Sequence, residues 1–318
     1  MKAEVSVIIP AYNHERFVGA AVESVLGQSY DRLQLIVIDD GSTDRTGEVV
    51  QGYDDPRLTY VHQENQDAYN ALNRGLEMAD GDFIAILNSD DVYFPERLEK
   101  LVGVQQETGA QCLFTDVVPI DDAGGELLDP DFGWNQWHRR NRAFYLAAGD
   151  LYTAFLKGNF MVTTSNLFLT GEAVRKVGRF CSLRYLHDYD YIFRVMLACP
   201  GKVRYLHEEQ LLYYRIHDGN TLSEAAILGR EQDRRVIGKY LLAALPEDLR
   251  PLVSAGSERL VELERELNEV RATLGQAPAE PGIRRQVQGL LRSLGRKLSA
   301  RPCRSSSRQP GELRDKNK

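Results

Sequence analysis

Hydrophobic and polar positions follow a regular cadence over the first 115 residues. Residues 5–9 are a short β-branched run, as expected of a strand buried on both faces, and Pro10 ends it. Phe17, Val18, Ala21, Val22, Val25 and Leu26 then recur at helical spacing up to Gly27. Residues 35–38 predict a second buried strand, and Ser42 or Thr43 is placed to cap the helix that follows. A strand at 58–61, a helix at 68–79, a strand at 82–87, a helix at 96–106 and a strand at 112–115 continue the pattern. Strands alternating with helices of about ten residues need crossover connections, so the pattern predicts an α/β fold with a mostly parallel sheet flanked by helices.

Beyond residue 115 the pattern is less regular. Gly124-Gly125 and Pro130 mark loops, and Trp134 and Trp137 sit in a polar stretch. A strand is expected at 163–169, a short helix at 172–177, a longer helix at 188–198 and a last strand at 211–216. From about Glu224 the chain reads as a helical extension, with a charged Leu/Val stripe at 258–274 and a linker at 276–281. Ile283, Val287, Leu290, Leu291, Leu294 and Leu298 then form one apolar face opposite Arg284, Arg285, Arg292, Arg296 and Lys297, and 301–318 reads as disordered. The expected domains are 1–222, divided into halves at 115/116, a helical extension 223–280 and a basic tail 281–318.

Composition is that of an ordinary globular chain of 318 residues, which excludes collagen-like and disulfide-scaffold classes. The net charge of −7 hides a split: residues 281–318 carry 11 Lys/Arg against Glu312 and Asp315, a net of +9, so the remainder carries −16. An acidic body argues against nucleic acid as a partner. The basic amphipathic segment 283–298 has the pattern of a helix that lies on an anionic membrane surface, or that packs on the body or a second chain. Cys112, Cys181, Cys199 and Cys303 show no C-x-x-C spacing, and no apolar run approaches the roughly 18 residues of a spanning helix. The expectation is a soluble cytoplasmic protein, touching membrane only through its tail.

The polar clusters Tyr12-Asn13, Asp39-Asp40 and Asn88 to Asp91 all follow strands. Parallel sheets bind ligands outside the carboxyl ends of their strands, so these clusters are expected to converge on one crevice. Each has two readings when taken alone. Asp90-Asp91 suits either a helix N-cap or a hard divalent cation, Mg²⁺ or Mn²⁺. Asp39-Asp40-Gly41-Ser42 suits a turn or a ligand contact. Asp188 opens a helix as a cap or as a base whose pKa is set by its surroundings. His217 is a surface loop residue or part of a site.

Taken together, VSVIIPAYN (5–13), VIDDGSTD (37–44), AILNSDD (85–91), HDYDYIFRV (187–195) and YRIHDGNTLS (214–223) resemble, in order and spacing, the inverting family 2 nucleotide-sugar glycosyltransferases, which have the GT-A fold. The resemblance covers about residues 4–223. It implies that Pro10, Ala11 and Tyr12 hold the nucleotide base and that Asp40 accepts a hydrogen bond from it, commonly from uracil. It places Asn88 and Ser89 near the ribose or diphosphate, Asp90 and His217 on a divalent metal (Mn²⁺ or Mg²⁺), and Asp188 as the general base. The implied partners are a nucleotide-sugar donor and a glycan or lipid-linked acceptor, with acceptor contacts expected from 116–175 and the loops around Trp134, Trp137, Arg139 and Arg140. The chemistry would be a single inverting displacement, without a covalent enzyme intermediate. Three positions depart from the family pattern: Asn88 replaces the first acid of Asp-x-Asp, His187 replaces the usual Glu before the base, and Asp67 stands where a glycine is usual. Two other classes are distinguishable. A scaffold that kept the fold without turnover would lack the trio Asp90, Asp188 and His217, and a nucleotidyltransferase would need a Gly-rich basic loop where Ala-Tyr-Asn-His-Glu follows the first strand.

Overall fold

The computed structural model describes residues 4–217 and, beyond them, 235–236, 238–243, 245–251, 253–256, 266 and 270. The expected boundary at 222, the stripe at 258–274 apart from two residues, the linker, the segment 283–298 and the tail lie outside the described residues. The chain divides into two units, Met1–Glu247 and Asp248–Lys318, and the first holds every site residue discussed below. In the second, helical backbone is described at 250–251 and 253–256. Among the described residues no helix is long and apolar enough to cross a membrane.

The first half follows the predicted order with one added short strand, β5: β1 (Val5–Ala11), α1 (Val18–Leu26), β2 (Leu33–Asp39), α2 (Thr46–Gln51), β3 (Leu58–His62), α3 (Ala68–Met78), β4 (Phe83–Ile86), β5 (Val92–Tyr93), α4 (Arg97–Thr108) and β6 (Cys112–Ile120). The second half holds α5 (Gly133–Ala148), α6 (Leu151–Lys157), β7 (Phe168–Thr170), α7 (Gly171–Val177), α8 (His187–Ala198) and β8 (Val203–Arg215). The eight strands run in the order β3-β2-β1-β4-β7-β6-β8-β5. Pairing is parallel across β3-β2-β1-β4 and between β6 and β8, and antiparallel at β4–β7, β7–β6 and β8–β5. The sheet is therefore mixed in its second half.

Period-two alternation sends the strands' side chains to opposite faces. Val5, Val7, Ile9 and Ala11 of β1 pack in a core with α1 and α4, whereas Ile8 joins Leu72, Phe155, Tyr189 and Phe193 on the other side. Val236 and Tyr240 join that second core; the Tyr240 ring stacks on Phe193 at 4.4 Å, and its hydroxyl donates to Asp190 at 2.6 Å. Helix α3 comes so close to β1 that a Cβ at Gly75 would lie 2.3 Å from Ile8 Cγ2. Gly75→Ala is thus expected to destabilise the fold, since overpacking of about 1–3 kcal/mol outweighs a helix-propensity gain of up to ~1 kcal/mol. Urea denaturation measures this, and an unchanged midpoint would show that α3 moves aside without cost.

Four expectations are corrected. Trp134 and Trp137 lie on a 16-residue helix, α5, and not in loops. This helix is too polar to show a wide apolar stripe, and two long-range contacts anchor it: Arg142 pairs with buried Asp116 at 2.9 Å, and Trp134 lies near Tyr214 at 5.8 Å. The expected strand 163–169 begins as a 3₁₀ turn, Thr164–Asn166, capped by the Thr163 hydroxyl, before β7. The Asn166 amide takes the place of a strand ladder there, donating to the Thr115 carbonyl at 2.7 Å and accepting from the Thr115 N–H at 3.0 Å. Helix α2 starts at Thr46 and is not capped by Ser42 or Thr43. Ser42 Oγ instead accepts from the Asn13 N–H at 3.0 Å, and the Thr43 N–H donates to Asn13 Oδ1 at 2.8 Å. Finally, β8 begins eight residues before the expected 211.

Candidate active site

Strand register brings the polar clusters to one edge. Ala11 pairs with Asp39, Asp39 pairs with His62, and the Leu87 N–H donates to the Ile8 carbonyl at 3.0 Å, so the chain leaves β1, β2 and β4 side by side. From β1 the chain builds β2 and β3 on one side and then crosses back to β4 on the other, which is the switch point where open α/β sheets form their crevice.

At β2 the two acids divide the work. Asp39 is buried and turned inward, accepting from the Ser42 N–H at 2.9 Å and the Tyr60 hydroxyl at 2.6 Å, with His62 Nδ1 at 3.2 Å. Burial raises its pKa, but the Ser42, Tyr60 and His62 hydrogen bonds outweigh it, and the carboxyl ends below its ordinary value. Asp40 is also buried; its N–H donates to the Ala11 carbonyl at 2.8 Å, and its Oδ1 accepts from Gln63 Nε2 at 2.6 Å and the Gln66 N–H at 3.0 Å. Pro10 and Ala11 close β1, and Tyr12 beyond them is 47% exposed. Asp67 takes φ 69°, a left-handed conformation that glycine adopts without strain. Asp67→Gly is expected to be neutral or stabilising by up to ~1 kcal/mol, read as a melting shift, because relief of that strain opposes the added chain entropy. Marked destabilisation would show that the Asp67 side chain holds the loop.

At β4 neither acid caps a helix, since Glu96 occupies the N-cap of α4. Asp90 and His217 meet at 3.2 Å, and His14 completes a cluster whose ligand atoms all lie within 4.8 Å of one another. His14 Nδ1 lies 2.7 Å from Ser89 Oγ, which leaves Nε2 as the nitrogen to offer a cation. Burial holds the His14 pKa below its ordinary value, keeping the ring neutral as ligation requires. At Asp90 burial pulls upward, but the His217 hydrogen bond and the nearby His14 and His217 rings prevail and hold its pKa below the ordinary value. Two imidazoles and one carboxylate fit a divalent transition metal such as Mn²⁺. His14 was not singled out in the sequence; its only local signal was its place after the first strand.

Asp91 lies behind this cluster. Its Oδ2 accepts from Ser165 Oγ at 2.5 Å and Thr163 Oγ1 at 3.1 Å, and its Oδ1 from the Arg215 N–H at 3.0 Å. Burial and the neighbouring Asp90 charge push its pKa up. The Arg215 guanidinium donates to the carbonyls of Asp90, Asp121 and Asp122 and stacks on Phe17, whose ring also packs against His217 at 4.9 Å. The Asn88 N–H donates to Ser165 Oγ at 2.8 Å and its amide to Thr163 Oγ1 at 3.0 Å.

Asp188 is the second residue of α8, whose N-cap is Leu186, so it is not a cap. It is buried, with Oδ1 accepting from the Tyr189 N–H at 2.7 Å and Oδ2 from Asn159 Nδ2 at 2.9 Å. Burial raises its pKa, only partly offset by His187, Asn159 and the Tyr189 N–H. His187 is held between the Leu183 carbonyl at 3.2 Å and Thr164 Oγ1 at 3.3 Å. Two costs collect beside Asp188. Val162 has φ 80°, a strained conformation for a β-branched residue of about 1–3 kcal/mol. Asn159 Oδ1 is buried without a hydrogen-bond partner among the described residues, a loss of about 1–3 kcal/mol. The structure thus brings Asp90 and His217 together, adds His14, and ties Asp188 through residues 159–165 to the turn that carries Asp90. On α5, the Trp134 ring stacks on His138 at 4.9 Å, Arg139 donates to the Pro130 carbonyl at 2.5 Å and Arg140 to the Gln136 carbonyl at 3.2 Å.

Comparison with known proteins gives a consistent picture. Residues 6–162 match the family model "Glycosyl transferase family 2". An uncharacterized glycosyltransferase of Nostoc sp. is 30% identical over 238 residues, covering 73% of this chain and 70% of its own. The chain spans 66% of the length of two other curated relatives it matches. Among solved structures, S. aureus TarS 1–349 in complex with UDP-GlcNAc superposes with a TM-score of 0.58 at 19% identity, covering 79% of this chain and 69% of that one. The mannosyltransferase PcManGT of Pyrobaculum calidifontis, in complex with GDP-Man and Mn²⁺, gives 0.57 at 18% identity, covering 92% and 81%. At these identities the structural likeness establishes the shared fold.

Proposed function

From the premise that this chain belongs to glycosyl transferase family 2, we propose that it transfers a sugar from a nucleotide-sugar donor, a UDP-sugar, to a glycan or lipid-linked acceptor with inversion at the anomeric carbon. The observation that carries this reading is one short segment, 159–165, that bonds the buried carboxyl of Asp188 at one end and Asp91, beside Asp90 of the His14–Asp90–His217 cluster, at the other. The half-exposed ring of Tyr12 would stack on the nucleotide base, and Asp40, ordered by Gln63 and Gln66, would accept a hydrogen bond from its imide N–H. Pro10 and Ala11 would supply backbone at the base. Asn88 and Ser89 would line the ribose and diphosphate side, with Ser89 also orienting His14.

His14, Asp90 and His217 would hold a divalent metal, which when bound offsets the charge of a departing nucleoside diphosphate. Asp188 would take the proton of the attacking hydroxyl, and one carboxylate on the face opposite the nucleotide suffices for a single displacement. Because burial raises the Asp188 pKa, the rate should be low in acid, where the carboxyl keeps its proton, and rise as pH passes that raised value.

The reading is tested with a panel of UDP- and GDP-sugars, following thermal stabilisation and nucleotide release with and without Mn²⁺. Mn²⁺-dependent release from one donor is the expected result. Binding without release under any acceptor mixture would favour a scaffold that lost turnover, and absence of both binding and release would remove the proposal.

A further inference from the structure

We propose that Asn159 is the positioning residue of the Asp188 base, and that residues 159–165 act as a strut holding that base in register with the turn that presents Asp90. This inference rests on the assignment of Asp188 proposed above. At one end of the strut, the Asn159 amide donates to Asp188 Oδ2 at 2.9 Å. At the other, the Thr163 hydroxyl meets Asn88 Nδ2 at 3.0 Å and Asp91 Oδ2 at 3.1 Å, while Ser165 Oγ accepts from the Asn88 N–H at 2.8 Å. Between them, Thr164 lies 3.3 Å from the ring of His187, which precedes the base.

The strut is built for geometry at the expense of local comfort. The Val162 N–H closes back on the Asn159 carbonyl at 3.2 Å while Val162 itself keeps a positive φ, and the side-chain oxygen of Asn159 is buried without a partner among the described residues. Strain and an orphaned acceptor within four residues of each other mark a segment selected for where it holds a group. With Oδ1 pinned by the Tyr189 N–H and Oδ2 by Asn159, the plane of the Asp188 carboxylate is set by two donors, one from its own helix and one from the strut. The amide donor also favours the ionised carboxylate, as does the neighbouring His187.

The test measures the base directly. Carboxyl ¹³C resonances of the full-length protein are titrated in wild type, Asn159→Ala and Asn159→Asp, with Asp188→Asn used to assign the Asp188 signal; turnover of the donor found in the UDP-/GDP-sugar panel is followed in parallel. In Asn159→Ala the Asp188 titration and the acid limb of the rate should both move to higher pH, with kcat falling about 10–100-fold and the donor KM unchanged. In Asn159→Asp, where a second carboxylate faces the first, the shift should be larger. An Asp188 titration unmoved in both variants overturns the positioning role. Full turnover in Asp188→Asn, with the titration shifted as expected, instead removes the base assignment and leaves the Asn159 contact standing.

Discussion

Asp188→Asn is expected to lower sugar transfer by about 10²–10⁴-fold, the usual contribution of a positioned general base, while leaving nucleotide binding unchanged. The substitution keeps the shape of the side chain and removes only its capacity to take a proton. Asp188 now accepts from two donors, the Tyr189 N–H and the Asn159 amide, so an amide in its place sets one NH₂ group against another. Asn159 can resolve this by turning its own amide over, because its Oδ1 has no competing partner among the described residues. The fold should therefore survive. Burial raises the carboxyl pKa, so the ionised form opposes folding at pH values above the unfolded pKa. Replacing it with a neutral amide removes that cost, and the melting temperature at neutral pH should hold or rise. Below the unfolded pKa both states carry the proton, and the two proteins should converge. Transfer at the wild-type rate in a folded Asp188→Asn protein would rule out this residue as the base.

Asp90→Ala should abolish Mn²⁺-dependent turnover and weaken Mn²⁺ binding by more than about 100-fold, beyond the 10–100-fold typical of losing a group that merely orients a ligand. The carboxylate supplies the negative charge of the cluster, and both imidazoles are arranged around it, His217 at 3.2 Å. Asp90→Asn is the companion variant, since it keeps an oxygen near His217 but loses the charge. His14→Ala should show a smaller loss of about 10–100-fold, with one neutral donor removed and the charge retained. Titration of Mn²⁺ by electron paramagnetic resonance reads all three without any substrate. Wild-type Mn²⁺ affinity in Asp90→Ala would remove the metal assignment, whatever the activity shows.

Much of the frame was legible because it is written locally. Buried apolar runs in β1, β2 and β4, each followed by a polar cluster, give a parallel sheet with chemistry at its carboxyl edge. The second half was harder to read. Helix α5 carries Trp, His and Arg at positions that only Asp116 and Tyr214 make sense of, and the Thr163–Asn166 stretch has strand-like residues whose side chains bond to neighbours in place of a ladder. β-Propensity describes residues that fit a pleated surface, and here the surface was taken by the Asn166 amide.

By itself the sequence determined the α/β frame of the first half, the edge at which ligands gather, and, through a resemblance spread over five motifs, Asp90, His217 and Asp188 as the groups to look for. Only the tertiary structure decided that His14 joins Asp90 and His217 in one cluster and that Asn159 bonds the Asp188 carboxyl. These contacts join residues 75 apart for His14 and Ser89, 127 apart for Asp90 and His217, and 29 apart for Asn159 and Asp188. A hydrogen bond between side chains that far apart leaves no periodicity in the chain, because it depends on where the sheet and its loops bring the two groups and not on what surrounds either one locally.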